Sequence, residues 1–249
     1  MEKNRERRKR GLFVAEGRRE VSLALAAGYK PGALLVCPEI YQEDPAYPIN
    51  FNDIGTGKVF YINAAVYNKL AYRNNVEGML LSGEAREHSL RNLKTPANPL
   101  ILVVEKVEKP GNLGAILRTC DAAGADAVIV CDPATDIYNP NTIRSSLGCI
   151  FTSKLATGAT TDVLQWMNDQ GIRAFAASPD ASEPYYQEDL TGPTALVFGA
   201  ESEGLSPAMM QATQKHLSIP MAGKIDSLNV SASVAILLFE AVRQRRIKG

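Results

Sequence analysis

The sequence predicts an α/β protein built around a mostly parallel β-sheet. Residues 100–104 (LILVV) and 127–131 (AVIVC) are continuous apolar runs rich in β-branched residues, which is typical of strands buried on both faces. Stretches with helical periodicity separate these and later strand-like runs, and such alternation favours a parallel sheet. A chain of 249 residues with 45% hydrophobic content is long enough for one large domain or two ordinary ones.

Residues 1–92 predict a small α/β domain that precedes the regular part of the chain. Short helical and strand-like patterns alternate there, separated by loops rich in Pro, Asn, Asp and Gly. The polar segment SLRNLKTPANP, residues 89–99, has the composition of an interdomain linker, so we place a second domain at residues 93–249. The predicted elements of the first domain are helices at residues 20–27 and 64–70 and strands at residues 33–37 and 59–62.

The second domain ends in a long predicted helix at residues 230–246. Its Ser231, Val234, Ala235, Leu238 and Val242 form an apolar stripe with small residues that permit close approach. The preceding predicted elements are strands at residues 100–104, 127–131, 150–153, 173–177, 194–198 and 217–219, and helices after residue 112 and at residues 141–147, 162–169 and 207–215.

Composition and charge exclude several classes of protein. No apolar run approaches the roughly 18 residues of a membrane helix, and the N-terminus is too polar for a secretory signal, which predicts a cytoplasmic protein. The four cysteines show no CxxC pairing and are expected to be structural thiols, with no metal site. Neither His88 nor His216 lies near a serine motif, which argues against a histidine-dependent triad.

Basic residues concentrate at the two ends of a chain whose formal net charge is zero. Residues 1–20 hold eight Lys or Arg against four acids, and residues 243–248 hold four basic residues and no acid. This concentration is typical of a surface that binds a phosphate-rich partner. A solvated terminal tail gives the same pattern, so the charge indicates RNA or DNA without deciding it.

Three loops rich in glycine and polar residues follow predicted strands, where open α/β sheets bind their ligands. The first, residues 108–118 (EKPGNLGAILR), places Asn112 at a predicted helix N-cap and Arg118 one turn after Gly114. Alone, this loop is equally an ordinary capped helix with a solvated arginine. It lacks the GxGxxG pattern, which argues against a dinucleotide site.

The second and third loops supply glycines and apolar side chains. In the second, residues 199–204 (GAESEG), glycines allow the backbone to approach a ligand closely. In the third, residues 219–229, Met221 and Leu228 are suited to hold an adenine, and Ser227 or Asn229 is expected to cap the final helix. Each loop alone is also consistent with a simple connecting turn.

Together, the three loops resemble the motifs of the SpoU/TrmH family. NLGAILRT at 112–119, FGAESEGL at 198–205, and IPM at 219–221 with SLNVS at 227–231 follow that family's order and spacing over about residues 98–247. Members are S-adenosylmethionine-dependent RNA ribose 2′-O-methyltransferases of the SPOUT class, whose sheet ends in a C-terminal trefoil knot. The segment at residues 3–25 is similar to the ribosomal-protein-like substrate-binding domain of many members.

The resemblance implies roles for named residues. Arg118, the motif-one arginine, is the predicted catalytic group; because guanidinium rarely loses its proton, we favour stabilisation of the developing alkoxide. Asn112 and Asn229 are expected to hold the active-site loops, and Glu201 to fix Arg118 or the loop around it. Lys109 stands where an acid is common in the family, and Cys120 where alanine is common. The predicted cofactor-binding residues are Gly199, Ile219, Met221, Ser227 and Leu228.

The resemblance also implies partners. Arg144 matches a position that faces RNA in the family, and the basic N-terminus adds Arg7, Arg8 and Arg10 as predicted RNA contacts. The separate substrate domain favours ribosomal RNA, with transfer RNA as the alternative substrate. Family members dimerise near the final helix, which predicts a homodimer here.

Two alternatives to an RNA methyltransferase remain. A catalytically inactive RNA-binding protein of the same fold is disfavoured by the intact Asn112, Arg118, Glu201 and Asn229. An α/β enzyme with another nucleotide cofactor is disfavoured because the dinucleotide fingerprint is missing.

Overall fold

The computed structural model describes residues 4–72 and 77–248. The chain forms two compact units: the first unit contains residues 1–87 and 136–152, and the second contains residues 88–135 and 153–249. In chain order, the main elements are α1 (Asn4–Lys9), β1 (Leu12–Glu16), α2 (Arg18–Ala26), β2 (Pro31–Val36), β3 (Val59–Tyr61), α3 (Ala64–Leu70), β4 (Met79–Glu84), β5 (Leu100–Glu105), α4 (Pro110–Ala123), β6 (Ala127–Cys131), α5 (Pro140–Ser145), α6 (Cys149–Thr152), β7 (Leu155–Gly158), α7 (Thr160–Asp169), β8 (Arg173–Ala177), β9 (Glu183–Pro184), β10 (Thr194–Phe198), α8 (Pro207–Ala212), β11 (Lys215–Ser218) and α9 (Val230–Lys248).

The first unit contains a four-stranded mixed sheet in the order β1-β4-β2-β3. β4 pairs antiparallel with β1 and β2, whereas β3 pairs parallel with β2. Phe13, Leu34 and Leu81 are fully buried on one face of this sheet. β1 and β4 were not predicted, because β1 is short and follows a charged run, and Ser82 and Gly83 interrupt the apolar pattern of β4.

An aromatic cluster joins residues 136–152 to the N-terminal part of the first unit. Phe13 packs against the rings of Tyr138 and Phe151 at centroid distances of 5.8 and 5.0 Å. The Tyr29 hydroxyl lies 3.0 Å from that of Tyr138, and burial raises the pKa of both tyrosines. The predicted boundary between residues 92 and 93 assigned residues 136–152 to the second domain, whereas these contacts place them in the first unit.

The strand predicted at residues 150–153 is wrong. Cys149–Thr152 forms the short helix α6, and the strand follows as β7. Gly148, at a φ of +83°, ends the preceding turn by donating its N–H to Ile143. Ile150 and Phe151 are buried in this helix, as they would be in a strand. A short apolar run therefore does not distinguish a buried helix from a buried strand.

The second unit is built on a seven-stranded sheet in the order β7-β6-β5-β10-β8-β11-β9. Each neighbouring pair is parallel, which confirms the predicted mostly parallel sheet. Every residue of β5, β6 and β10 is buried, as their continuous apolar sequences require. The carboxyl ends of β5 and β10 are therefore adjacent, and the first two motif loops leave the sheet side by side.

The C-terminal helix α9 packs against α4 and β10 in its own chain. Val234 and Leu238, members of the predicted interface stripe, are fully buried and belong to the core. Ser231, Ala235 and Val242 are half-buried. On the same helix the large apolar side chains Phe239 and Ile247 are exposed to solvent.

Within residues 4–72 and 77–248, no helix is long and apolar enough to cross a membrane. The same described residues contain no cluster of three or more His, Cys, Asp or Glu side chains placed to hold a metal ion. Cys37, Cys120 and Cys131 are buried thiols, and burial raises the pKa of Cys120 to about 12.

Candidate active site

Three loops after β5, β10 and β11 contribute to one group of contacts around a cleft of about 710 Å³ in the second unit. Glu201 and Asn229 line this three-loop cleft, together with Lys109. The five residues predicted to bind the cofactor line it too: Gly199, Ile219, Met221, Ser227 and Leu228. Residues separated by up to 120 positions in the chain therefore share one concave surface.

Backbone contacts near Gly199 and Gly204 bring the two ends of the second loop together. Ala200 and Gly204 exchange two backbone hydrogen bonds of 3.0 and 3.1 Å. A Cβ atom on Gly199 would overlap the Gly204 backbone, and Gly204 has a φ of +68°. Glycine at position 199 is therefore required by a contact within the loop, in addition to facing the cleft.

A buried carboxylate holds the end of this loop. Glu105, the last residue of β5, is 1% exposed; its Oε1 accepts hydrogen bonds of 2.7 Å from the hydroxyls of Thr160 and Ser206. Its Oε2 accepts the Ser206 N–H at 2.7 Å, and Ser206 in turn caps α8. We call Glu105, Thr160 and Ser206 the buried anchor. The sequence analysis did not identify Glu105 as a functional residue. The one signal for it in the sequence is an acidic residue at the end of an apolar strand.

A second, accessible carboxylate connects all three loops. Glu201 contacts the side chains of Lys109 and Asn112, and its Oε1 accepts a 3.1 Å hydrogen bond from Asn229 Nδ2. Asn229 also donates to Asn112 Oδ1 at 3.3 Å. We call these four residues the exposed network. The hydrogen bond to Glu201 raises the pKa of Lys109, because the carboxylate stabilises the charged ammonium group.

The structure changes one predicted helix cap and decides between the two candidates for another. α4 begins at Pro110 with Lys109 at its N-cap, because proline fits the first position of a helix; the predicted cap, Asn112, is the third helical residue and binds Glu201 instead. Asn229 precedes α9 and accepts the Ser231 N–H at 3.0 Å, which confirms it as a cap. Ser227 donates to Asp226 and has no capping role.

Arg118 lies on α4, and its side chain is exposed. Among the described residues it has no hydrogen bond or ion pair, and it does not line the three-loop cleft. The predicted contact between Glu201 and Arg118 is therefore not formed, and Glu201 holds the surrounding loops instead. An unpaired guanidinium on the helix that carries Asn112 is available to bind a substrate oxygen.

The predicted RNA contacts lie in the first unit. Arg8, Arg10 and Arg144 are exposed. Arg7 is 6% exposed, pairs with Asp136 and donates a 2.6 Å hydrogen bond to a backbone carbonyl. The guanidinium of Arg7 therefore secures residues 136–138. Because the same residue lines a cavity of the first unit, its RNA contact stays a prediction.

Comparison with known proteins decides the family. Residues 99–239 match the SpoU rRNA Methylase family, and residues 1–81 match the MRM3-like substrate binding domain. The chain belongs to the SpoU rRNA methylase family. The resemblance predicted from the three motifs and from the N-terminal segment is confirmed.

Relatives within the SpoU family agree in activity. A 23S rRNA (guanosine-2′-O-)-methyltransferase RlmB from Pseudomonas putida is 39% identical over 169 residues, and the match spans 65% of each protein. A crystal structure of an RNA 2′-O ribose methyltransferase is 36% identical with a TM-score of 0.83, and the match covers 98% of this chain and 93% of that one. The AdoMet-bound rRNA methyltransferase from Sinorhizobium meliloti is 29% identical with a TM-score of 0.85, over 97% and 90% of the two chains.

Proposed function

We propose that this SpoU-family chain is an S-adenosylmethionine-dependent enzyme that methylates a ribose 2′-hydroxyl in structured RNA. The observation that carries the proposal is the convergence of the three motif loops on Glu201 at one cleft. The relatives support ribosomal RNA as the substrate, and a guanosine of 23S rRNA as the modified nucleotide. We also propose that it acts in the cytoplasm.

The lining of the three-loop cleft fits S-adenosylmethionine. Ile219, Met221 and Leu228 are half-buried apolar side chains suited to the faces of an adenine. Asp180 and Asp226 also line the cleft, as do Glu201 and Glu203. Lys109 lines the cleft with them, and Lys106, outside the lining, lies 3.9 Å from Glu203. The four acids outnumber these two lysines, which favours a ligand that carries cationic groups. A sulfonium and an ammonium group are such cations.

The residues of the chain have separable tasks in the reaction. S-adenosylmethionine supplies an electrophilic methyl group when bound. Glu201 keeps Asn112 and Asn229 in place, which holds the loops in the binding-competent arrangement. Arg118 contacts the ribose hydroxyl and its neighbouring phosphate, and its permanent charge stabilises the alkoxide as the proton leaves.

We propose that the two domains have the roles, and the backbone the knotted topology, of other family members. Residues 1–92 bind RNA through Arg8 and Arg10, joined by Arg144 from the later segment, and residues 93–249 carry catalysis. The C-terminal segment forms the trefoil knot of the family, which the shared cleft of the second and third loops supports. A crystal structure in which the C-terminal segment does not pass through a loop of the backbone would contradict the knot.

We also propose a homodimer that uses α9. Since Val234 and Leu238 are buried in the chain, the interface uses the accessible side of that helix, where Phe239 is 48% exposed. Phe239→Glu is expected to convert the dimer to a monomer in light scattering at micromolar concentration. A wild-type chain that is already monomeric under these conditions contradicts the proposal.

The direct test measures transfer of a labelled methyl group from S-adenosylmethionine to transcribed 23S rRNA, with transfer RNA as the competing substrate. We expect methylation of the 23S rRNA at one ribose, found by mapping alkali-resistant linkages, and no transfer by Arg118→Ala. Methylation of transfer RNA alone would reassign the substrate. An RNA that binds without methyl transfer would make the chain an inactive RNA-binding protein.

A further inference from the structure

The first unit contains a cavity of about 400 Å³ that the proposed chemistry does not use. Its volume lies in the range of roughly 300–1,000 Å³ that is typical of small-molecule sites. The walls come from the four-stranded sheet, from α3 and the residues that follow it, and from α5. We call it the sheet cavity.

The floor of the sheet cavity is one face of the sheet. Paired residues in neighbouring strands point to the same face, and the ladder places Val14, Ser82 and Ala33 in one row. The next row contains the cavity-lining Glu16, Leu80 and Leu35 and continues to Phe60 on β3. Phe60 is 48% exposed. The floor is therefore largely apolar and ends at an accessible aromatic ring.

Cationic side chains and an aromatic ring line the sheet cavity. Lys69 and Arg144 are exposed, and neither has an ion pair among the residues that the structure describes. Tyr72 lines the cavity and is 66% exposed, and its N–H donates a 2.8 Å hydrogen bond to Glu16 Oε2, which fixes this wall. An apolar floor, an accessible aromatic ring and nearby cations are the combination that binds unpaired RNA bases and their phosphates.

We propose that the sheet cavity binds one unstacked base of the substrate RNA. The base enters over the apolar floor beside the ring of Tyr72, and Lys69 and Arg144 contact the flanking phosphates. This inference rests on the proposed function for its RNA ligand, and it adds a base-binding site in the first unit. Such a site recognises unpaired nucleotides, so the enzyme would favour RNA with an open loop over a continuous duplex.

The test compares matched variants of the full chain by filter binding to transcribed 23S rRNA and by methyl transfer. Tyr72→Ala is expected to weaken RNA binding about tenfold, whereas Tyr72→Phe, which keeps the ring, binds within about twofold of the wild type. Ala33→Phe, which fills the cavity from its floor, weakens binding by a similar factor. The control is Tyr61→Ala, because Tyr61 is 70% exposed but lies on the opposite face of the sheet from Phe60.

The turnover number at saturating RNA separates the two proposals. In the Tyr72→Ala chain we expect an unchanged turnover number and a raised KM for RNA, with unaltered affinity for S-adenosylmethionine. Equal RNA affinity of the wild-type and Tyr72→Ala chains, or equal losses in Tyr72→Ala and Tyr61→Ala, overturns the cavity inference while methyl transfer stands. Absence of methyl transfer by the wild type overturns the proposed function instead. If Ala33→Phe does not fold, the tyrosine series decides alone.

Discussion

The loop at residues 199–206 is held near its two ends by carboxylates in opposite environments. Glu105 is 1% exposed and accepts three hydrogen bonds from uncharged donors on Thr160 and Ser206. Glu201 keeps 24% of its side-chain surface exposed and contacts a lysine and two asparagines. Glu105 ends β5 and Glu201 lies in the loop itself, so both carboxylates hold one loop, yet they are expected to differ in what they control.

The difference follows from solvation. A buried carboxylate is stable because its donors replace water, so removing it leaves several polar groups without partners and destabilises the fold. An accessible carboxylate exchanges its partners with water at small cost, so it contributes little to stability. The buried anchor should therefore control unfolding, and the exposed network should control binding and turnover.

The largest effect is expected from the buried anchor. Glu105→Ala leaves the Ser206 N–H and hydroxyl without their acceptor, whereas the Thr160 hydroxyl keeps Asp132 at 2.8 Å. Because a buried donor without a partner is costly, the variant should lower the free energy of unfolding by about 3 kcal/mol. Urea denaturation followed by the fluorescence of Trp166, the single tryptophan and a residue of the second unit, measures it. Glu105→Gln is the control, expected to lose about 1 kcal/mol because the hydroxyls can rotate to accept from the amide. An alanine variant as stable as the wild type would remove the distinction between the two carboxylates.

The next largest effect is expected on the rate of methyl transfer, with no change in the stability of the fold. Arg118→Lys replaces a planar donor with a point charge and should slow single-turnover methyl transfer by about 10- to 100-fold. Since Arg118 does not line the cleft, affinity for S-adenosylmethionine measured by calorimetry should stay at the wild-type value. A wild-type rate in this variant contradicts the catalytic role of Arg118.

Glu201→Ala tests the role of the exposed network directly, since it removes the carboxylate that connects the three loops. Loss of the contacts to Asn112 and Asn229 should lower affinity for S-adenosylmethionine about tenfold, while the free energy of unfolding changes by less than about 1 kcal/mol. Calorimetry and urea denaturation on the same sample give both values. A stability loss as large as that of Glu105→Ala would show that the network is structural.

The smallest effect is expected at Lys109, whose side chain is 67% exposed. Lys109→Ala leaves Glu201 with both asparagines and should reduce turnover by about threefold or less, since an exposed ion pair is weak. The effect should shrink further when turnover is measured at high salt, because salt screens this pair. A loss equal to that of Glu201→Ala would instead give the lysine an essential role.

The parallel sheet could be predicted because its central strands are apolar throughout. β5, β6 and β10 are buried on both faces, and burial of that kind is visible in the sequence of each strand alone. The strands of the first unit were harder to find, because β4 contains Ser82 and Gly83. The assignment of residues 136–152 to the first unit depends on the packing of Tyr138 on Phe13, across 125 positions of the chain, and no local pattern reports such a contact.

The motif residues of the site could be predicted by resemblance, but their contacts could not. Gly199 and Glu201 lie in the cleft as the motifs imply. Of the two predicted tasks of Glu201, to fix Arg118 or to fix the loop around it, the contacts to Lys109 and the two asparagines support the second. Side-chain pairing across about 90 residues depends on the loop conformation, and therefore on Glu105, which no motif marked.

The discontinuous first unit has a consequence for chimeric enzymes. A substrate domain exchanged with a relative by a single crossover near residue 92 would leave behind Tyr138 and Phe151, and with them half of the aromatic cluster around Phe13. A transplant that carries residues 136–152 as a second cassette keeps that cluster intact. Recombination between relatives should therefore succeed when the two segments travel together.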